Sequence, residues 1–233
     1  MIRLQVKRKW VGERLLYRDF ELQLAAGELL CLLGPSGCGK TSLLNLLAGL
    51  DPHFDGQLSG ANEAALGYLF QEPRLLPWRT VTENLALVAP QRSDQIPVLL
   101  QQLELQGCEH CYPGQLSLGM ARRVALARSL MVDPQLLLLD EPFVSLDPPT
   151  ANALQRVLQR VREQRPQLAV VMVTHAVEDA LALADRVLVL GGTPTTVLEQ
   201  LQPCRSAEEP ESLQQQAQRL LAAYPQSAVC NLA

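Results

Sequence analysis

The chain is 233 residues long, 48% hydrophobic and 19% charged, with a formal net charge of −4. That length holds one large α/β domain or a domain with a subdomain. The acidic balance argues against nucleic acid as the main ligand, and no apolar run approaches the length needed to cross a bilayer.

Residues 1–10 carry four cations, Arg3, Lys7, Arg8 and Lys9, but no apolar run follows them, so no signal peptide is expected. Residues 2–6 and 15–24 alternate apolar with polar, which predicts an antiparallel β flank. Leu29–Leu33 is a fully apolar strand candidate, and further apolar β-rich runs follow at 136–139, 168–173 and 186–190. Helical patterns separate these runs, so the fold class is α/β, with a mostly parallel sheet covered by helices. From about residue 73 to about 114 the composition turns Leu/Gln-rich with helical spacing, which predicts a helical subdomain inserted into the core. Residues 203–233 form a polar tail. In it Leu213, Ala217, Leu220, Leu221 and Tyr224 share one helical face, as a short docked helix requires.

The stretch Gly34-Pro35-Ser36-Gly37-Cys38-Gly39-Lys40-Thr41-Ser42 stands between the first core strand and an amphipathic helix. Strand, glycine-rich loop and helix in that order make a phosphate-binding loop. Its glycines turn successive N–H groups inward, and the helix adds its positive end. Lys40 supplies a cation for β- and γ-phosphates, and the Thr41 hydroxyl suits Mg²⁺. These residues point to a nucleoside triphosphate.

The run at 136–139 ends in Asp140-Glu141-Pro142, and ligands in such sheets bind off the carboxyl ends of strands. Asp140 then suits the Mg²⁺ shell, and Glu141 suits polarising an attacking water. The plainer alternative is that two acids merely end a strand. His175 ends the next apolar run, where it can hydrogen-bond a γ-phosphate. Cys108-Glu109-His110-Cys111 is half of a zinc pattern with no second pair after it. It reads first as reduced thiols in a loop, with a metal or redox site as the alternative.

With these motifs in this order, residues 2–200 resemble the nucleotide-binding subunit of an ATP-binding cassette (ABC) transporter. The family's LSGGQ signature is matched by Leu116-Ser117-Leu118-Gly119-Met120, its D-loop by Ser145-Leu146-Asp147, and its Q-loop by Gln71. The aromatic that stacks on adenine is matched by Trp10, with Tyr17 as the runner-up. The resemblance implies a P-loop ATPase domain over residues 1–202 that binds ATP and Mg²⁺. Thr41, Gln71 and Asp140 are then the metal ligands, Glu141 the general base and His175 the γ-phosphate contact. It also implies a homodimer that sandwiches ATP, with Ser117, Gly119 and Asp147 serving the partner's site. The implied setting is the cytoplasmic face of the inner membrane, beneath transmembrane permease subunits, with a solute-binding protein as an indirect partner and no nucleic acid.

Departures from the pattern are specific. Leu118 replaces the first signature glycine, which costs nothing if the position is ordinary helix and weakens phosphate approach if it is not. Met120 replaces Gln, Ala176 follows His175, and the segment between Gly49 and Gly67 is short, so a trimmed flank is expected. Residues 70–81, from Phe70-Gln71-Glu72-Pro73 through Trp78, resemble importers for nitrate, taurine and aliphatic sulfonates. Leu76 and Trp78 either receive a permease helix or pack the insert's own core. A soluble non-transport ABC ATPase, a regulatory nucleotide-binding module and an exporter ATPase are the competing readings.

Overall fold

The computed structural model describes residues 1–61 and 65–203, with 215, 218, 219 and 222 beyond them. The predicted tail helix around Leu213–Tyr224, together with Cys204 and Cys230, lies outside the contiguous described residues. In chain order the elements are β1 (Ile2–Val11), β2 (Arg14–Leu24), β3 (Leu29–Leu33), α1 (Lys40–Leu47), β4 (Asp55–Ser59), β5 (Leu66–Leu69), α2 (Val81–Ala86) and α3 (Ile96–Gln102). There follow α4 (Leu118–Leu130), β6 (Leu136–Asp140), α5 (Pro148–Gln164), β7 (Ala169–Thr174), α6 (Val177–Leu183), β8 (Arg186–Gly191) and β9 (Thr196–Leu201). The chain divides into two compact units, Met1–Glu63 with Ala169–Ala233, and Ala64–Leu168.

In the first unit β1 lies between β2 and β4, antiparallel to both, with Ile2 opposite Leu24 and Arg3 opposite Ser59. Ile2, Leu4 and Val6 are buried on β1, and Phe20, Leu22 and Leu24 on β2, so alternation puts one apolar face inward. β1 runs on to Val11, past the expected end at Val6. The cations at 7–9 break the apolar alternation but not the strand, because Lys9 is buried with its charge paired. Its Nζ lies 2.6 Å from an Asp51 carboxylate oxygen and donates to the His53 carbonyl at 2.8 Å. The short segment after Gly49 keeps one exposed strand, β4, so the flank is a three-stranded sheet.

The same unit holds β3 between β7 and β8, all parallel, with β9 antiparallel on β8. Every residue of β3 and β7 is buried, which is why both read as unbroken apolar runs. Asp185 accepts the Leu29 N–H at 2.8 Å, and Arg186 pairs with Glu28 at 2.6 Å while donating to the Gln23 carbonyl. These polar contacts pin the entry of β3 and the register of β8.

The second unit pairs β5 with β6 in parallel, Leu66 opposite Leu136. The expected insert is helical but built of short pieces: α2, α3 and 3₁₀ turns at Pro90–Gln95 and Pro113–Gln115. A capping box starts α2, with Thr80 accepting the Glu83 N–H and Glu83 reaching back to the Thr80 N–H. Asn84, fully buried, accepts the Leu76 N–H and donates to the carbonyls of Leu76, Arg79 and Thr80. It ties the loop before α2 into one conformation.

The Asp51 carboxyl is held below the usual carboxylate range, chiefly by the Lys9 hydrogen bond. Its stabilising effect is complete above the unfolded carboxylate pKa, near about 4, and is lost as pH falls through the lower folded value. Asp51→Asn is expected to cost about 2 kcal/mol at neutral pH by leaving the buried ammonium short of an anion. The variant should also lose less stability on acidification than the parent, read by urea unfolding across the acid range.

Candidate functional site

The phosphate-loop candidate leaves β3 at Leu33 and enters α1 at Lys40. Gly37 and Gly39 take φ of 78° and 102°, the left-handed region that favours glycine. A Cβ at Gly39 would stand 2.6 Å from the Tyr17 hydroxyl, and one at Gly34 would stand 2.9 Å from both the Cys38 Sγ and the Leu190 carbonyl. Both glycines are therefore required by close approach. Lys40 is buried, its Nζ donating to the carbonyls of Gly34 at 2.8 Å and Pro35 at 3.0 Å. Thr41 is exposed in the first turn of α1.

Three side chains hold this loop from outside it. Thr195 Oγ1 donates to the Cys38 carbonyl at 2.8 Å, the Tyr17 hydroxyl donates to the same oxygen at 3.4 Å, and Arg14 donates to the Gly37 carbonyl at 3.3 Å. Tyr17 and Thr195 have no exposed surface. Burial pushes the Tyr17 phenol well up and the Cys38 thiol up, so both stay neutral. Sequence reasoning missed Arg14 and Thr195, which carry no motif. Tyr17 offers a signal, a polar-tipped aromatic following two leucines, but in the sequence it reads only as a ring to stack on adenine. Buried as it is, Tyr17 has no face for a base, whereas Trp10 is 54% exposed at the end of β1.

His175 follows β7 directly. Leu33 and Thr174 are register partners on neighbouring parallel strands, so Gly34 and His175 leave the same edge of the sheet. His175 is exposed, and the Thr174 hydroxyl accepts the Ala176 N–H at 3.0 Å, turning the chain into α6.

In the second unit Asp140 is the last residue of β6 and is buried, while Glu141 takes a left-handed φ of 48°. A non-glycine residue in that region is strained, and such residues gather at functional sites. The segment after it is anchored by Arg122 of α4, which donates to the Pro142 carbonyl at 2.8 Å. Tyr68 on β5 has its phenol raised by burial and then by the Asp140 charge, and its ring stacks on Phe70 with centroids 4.0 Å apart. Arg74 lies 4.2 Å over the other member of that pair, Phe70, and Gln71 emerges exposed between them. Arg128 of α4 donates to the carbonyls of Pro73 at 2.9 Å and Arg74 at 2.7 Å, fixing the segment after Gln71.

Ser117 caps α4, accepting the Met120 N–H at 3.2 Å. Leu118 is the first helical residue, without left-handed φ and 44% exposed, so leucine fits the backbone there. Gly119 is the constrained position: it is buried, and a Cβ would run into the Thr150 methyl in the first turn of α5. Asp147 caps that helix by accepting the Thr150 N–H at 3.2 Å, a bond that holds its carboxyl below the usual range. Trp78 is 70% exposed, which removes the expectation that it packs the insert's own core. Among the described residues, no three His, Cys, Asp or Glu side chains are grouped to hold a metal, the Cys108–Cys111 turn included.

A family model described as ABC transporter matches residues 17–144. The chain belongs to the ABC transporter family. It is 42% identical over 211 residues to the aliphatic sulfonates import ATP-binding protein SsuB 2 of Burkholderia cenocepacia, covering 87% of this chain and 78% of that one. It is 41% identical over 241 residues to SsuB 1 of Xanthomonas axonopodis pv. citri, covering 95% of each. Among solved structures, a dimeric ATP-binding cassette in a post-hydrolysis state bound to ADP and Pi matches with a TM-score of 0.75 and 26% identity, over 88% of this chain and all of that one. The ABC cassette fold, a P-loop NTPase fold, and the ATPase activity that goes with the family both follow.

The loop clamp in this ABC cassette is directly testable. Thr195→Val, which keeps the shape and removes the donor, is expected to cost about 1 kcal/mol of stability and to weaken ATP binding by equilibrium titration. Thr195→Ser should restore both.

Proposed function

We propose that this ATPase is the energy-coupling subunit of an importer for a small anion of the nitrate, taurine or aliphatic-sulfonate kind. The observation that carries the reading is the 41–44% identity to several proteins named as aliphatic sulfonates import ATP-binding proteins.

The residues fit ATP and Mg²⁺. Left-handed Gly37 and Gly39 turn backbone N–H groups about the loop as a phosphate requires, and Lys40 adds the cation. The Thr41 hydroxyl, Asp140 carboxylate and Gln71 side-chain carbonyl are hard oxygen donors, the class Mg²⁺ prefers. When bound, the ion neutralises charge on the β- and γ-phosphates. In the proposed mechanism residues 1–202 act as one ATPase domain. Gly34, Pro35, Ser36, Gly37, Cys38, Gly39, Lys40, Thr41 and Ser42 bind phosphates, and Trp10 stacks on adenine. Glu141 takes the proton of the attacking water, and its left-handed backbone orients the carboxylate for that task. His175 hydrogen-bonds the γ-phosphate, and Gln71 links the metal shell to the permease. Ser117, Gly119 and Asp147 serve the site of a second copy in an ATP-sandwich dimer; a related cassette has been solved as a dimer.

The proposed setting is peripheral, on the cytoplasmic face of the inner membrane. Exposed Trp78, on the loop that Asn84 locks, faces the transmembrane permease, and a solute-binding protein delivers the anion from the other side.

Lys40→Ala is expected to abolish ATP binding, while Glu141→Gln binds ATP and shifts to a dimer with turnover lost, both read by nucleotide titration and size-exclusion chromatography. Normal hydrolysis by Glu141→Gln would place the base elsewhere. Leu118→Gly is expected to change the ATPase rate by less than about threefold, since the position already suits either residue. The transport reading is tested by purifying tagged protein from detergent-solubilised membranes. A multi-spanning permease in stoichiometric amount supports it, and ATP-dependent uptake of a short alkanesulfonate by the reconstituted complex names the substrate class. Soluble partners alone, or ribosomes, overturn it.

A further inference from the structure

We propose that Cys108 and Cys111 form a reversible thiol-modification site, a dithiol that a low-molecular-weight disulfide closes into a bond across a single turn. The inference does not depend on the transport reading. Cys111 N–H donates to the Cys108 carbonyl at 3.1 Å, closing a β-turn with Glu109 and His110 at its corners. Such a turn brings its end Cα atoms within about 7 Å, and disulfides span Cα separations of about 4.4–6.8 Å. Both residues are half-buried, so a small reagent reaches them. Cys31 and Cys38, by contrast, are buried in the other unit.

Burial first, and then the neighbouring Cys111, keep the Cys108 thiol above its usual range. Cys108 is therefore protonated at rest. The steps balance. Either thiolate, Cys111 for example, attacks one sulfur of RSSR, forming a mixed disulfide and releasing RS⁻. Cys108 then attacks the Cys111 sulfur, forming the intra-turn bond and releasing the second RS⁻. The two cysteine protons end on the two released thiols, so the protein is oxidised by two electrons and the reagent reduced by two. In a reducing compartment such a bond is transient, as sensing disulfides are.

The turn is not an isolated appendage. The Glu109 carbonyl accepts from the Thr82 N–H at 3.0 Å and the Thr82 hydroxyl at 2.9 Å, and the Cys111 carbonyl accepts from the Val81 N–H at 2.9 Å. These bonds satisfy N–H groups at the start of α2 that have no partner within the helix. The redox state of the turn thus acts on the element that follows Trp78.

The test incubates the full chain with mixtures of oxidised and reduced glutathione, quenches with iodoacetamide and maps the tryptic peptide Ser93–Arg122. The expected oxidised peptide has lost two hydrogens and takes no alkylation adduct, whereas the reduced peptide takes two. Cys108→Ser should hold a glutathione adduct on Cys111, and Cys111→Ser should hold one on Cys108. A stable glutathione adduct on the parent peptide without internal closure overturns the proposal, as does a bond from either residue to Cys204 or Cys230. Amide deuterium exchange at Val81 and Thr82 should slow in the oxidised form. Equal exchange in both forms overturns the link to α2.

Discussion

One backbone carbonyl organises the nucleotide end of the first unit. The Cys38 oxygen takes hydroxyls from Tyr17 on β2 and from Thr195 ahead of β9, two elements that otherwise belong to different sheets. A glycine-rich loop has more conformational freedom than other segments and loses more on ordering. The clamp meets that cost in the folded chain before any ligand arrives, so ligand binding need not supply it. The close approach also explains Gly39, whose missing side chain leaves the space the Tyr17 hydroxyl occupies.

The second unit uses arginines for the same purpose. Arg122 and Arg128, both on α4, donate to the backbone after Glu141 and after Gln71 respectively. One helix thus anchors two chemically important segments, and its own start carries the signature residues. Burial pushes both guanidinium groups below their usual range, yet each remains far from losing its proton at physiological pH, so the anchors are permanent charges. Carbonyl acceptors suit them, because a backbone oxygen gives a charge-assisted hydrogen bond without adding a second buried charge.

What was legible in the sequence was local. The phosphate loop, the acids ending the strand at Asp140 and the strand Leu29–Leu33 are written in contiguous residues, and the structure returns those elements with matching bounds. The family resemblance came from the order of such short motifs. What was not legible was pairing at a distance. The Thr195 contact to Cys38 spans 157 residues, and nothing near Thr195 marks it. Nothing near Lys9 marks it as buried, because its anion, Asp51, lies in another segment. The choice for Trp78 between a core and a surface turned on Asn84, a residue with no pattern of its own, whose side chain shapes the loop that carries the indole. Strands β4 and β9 were missed because they lie at sheet edges, where exposed polar residues replace the apolar run.

The chain has only two tryptophans, and the structure leaves both indoles largely in solvent, one in each unit. Their intrinsic fluorescence therefore makes the protein its own dual reporter. Emission from both starts red-shifted and open to a collisional quencher such as iodide. A base that stacked on Trp10 would dim and shield one lamp, and a protein surface that covered Trp78 would shift the other to the blue. Replacing either indole with phenylalanine leaves a single probe, so contacts made at each unit can be followed separately, in real time and without a label.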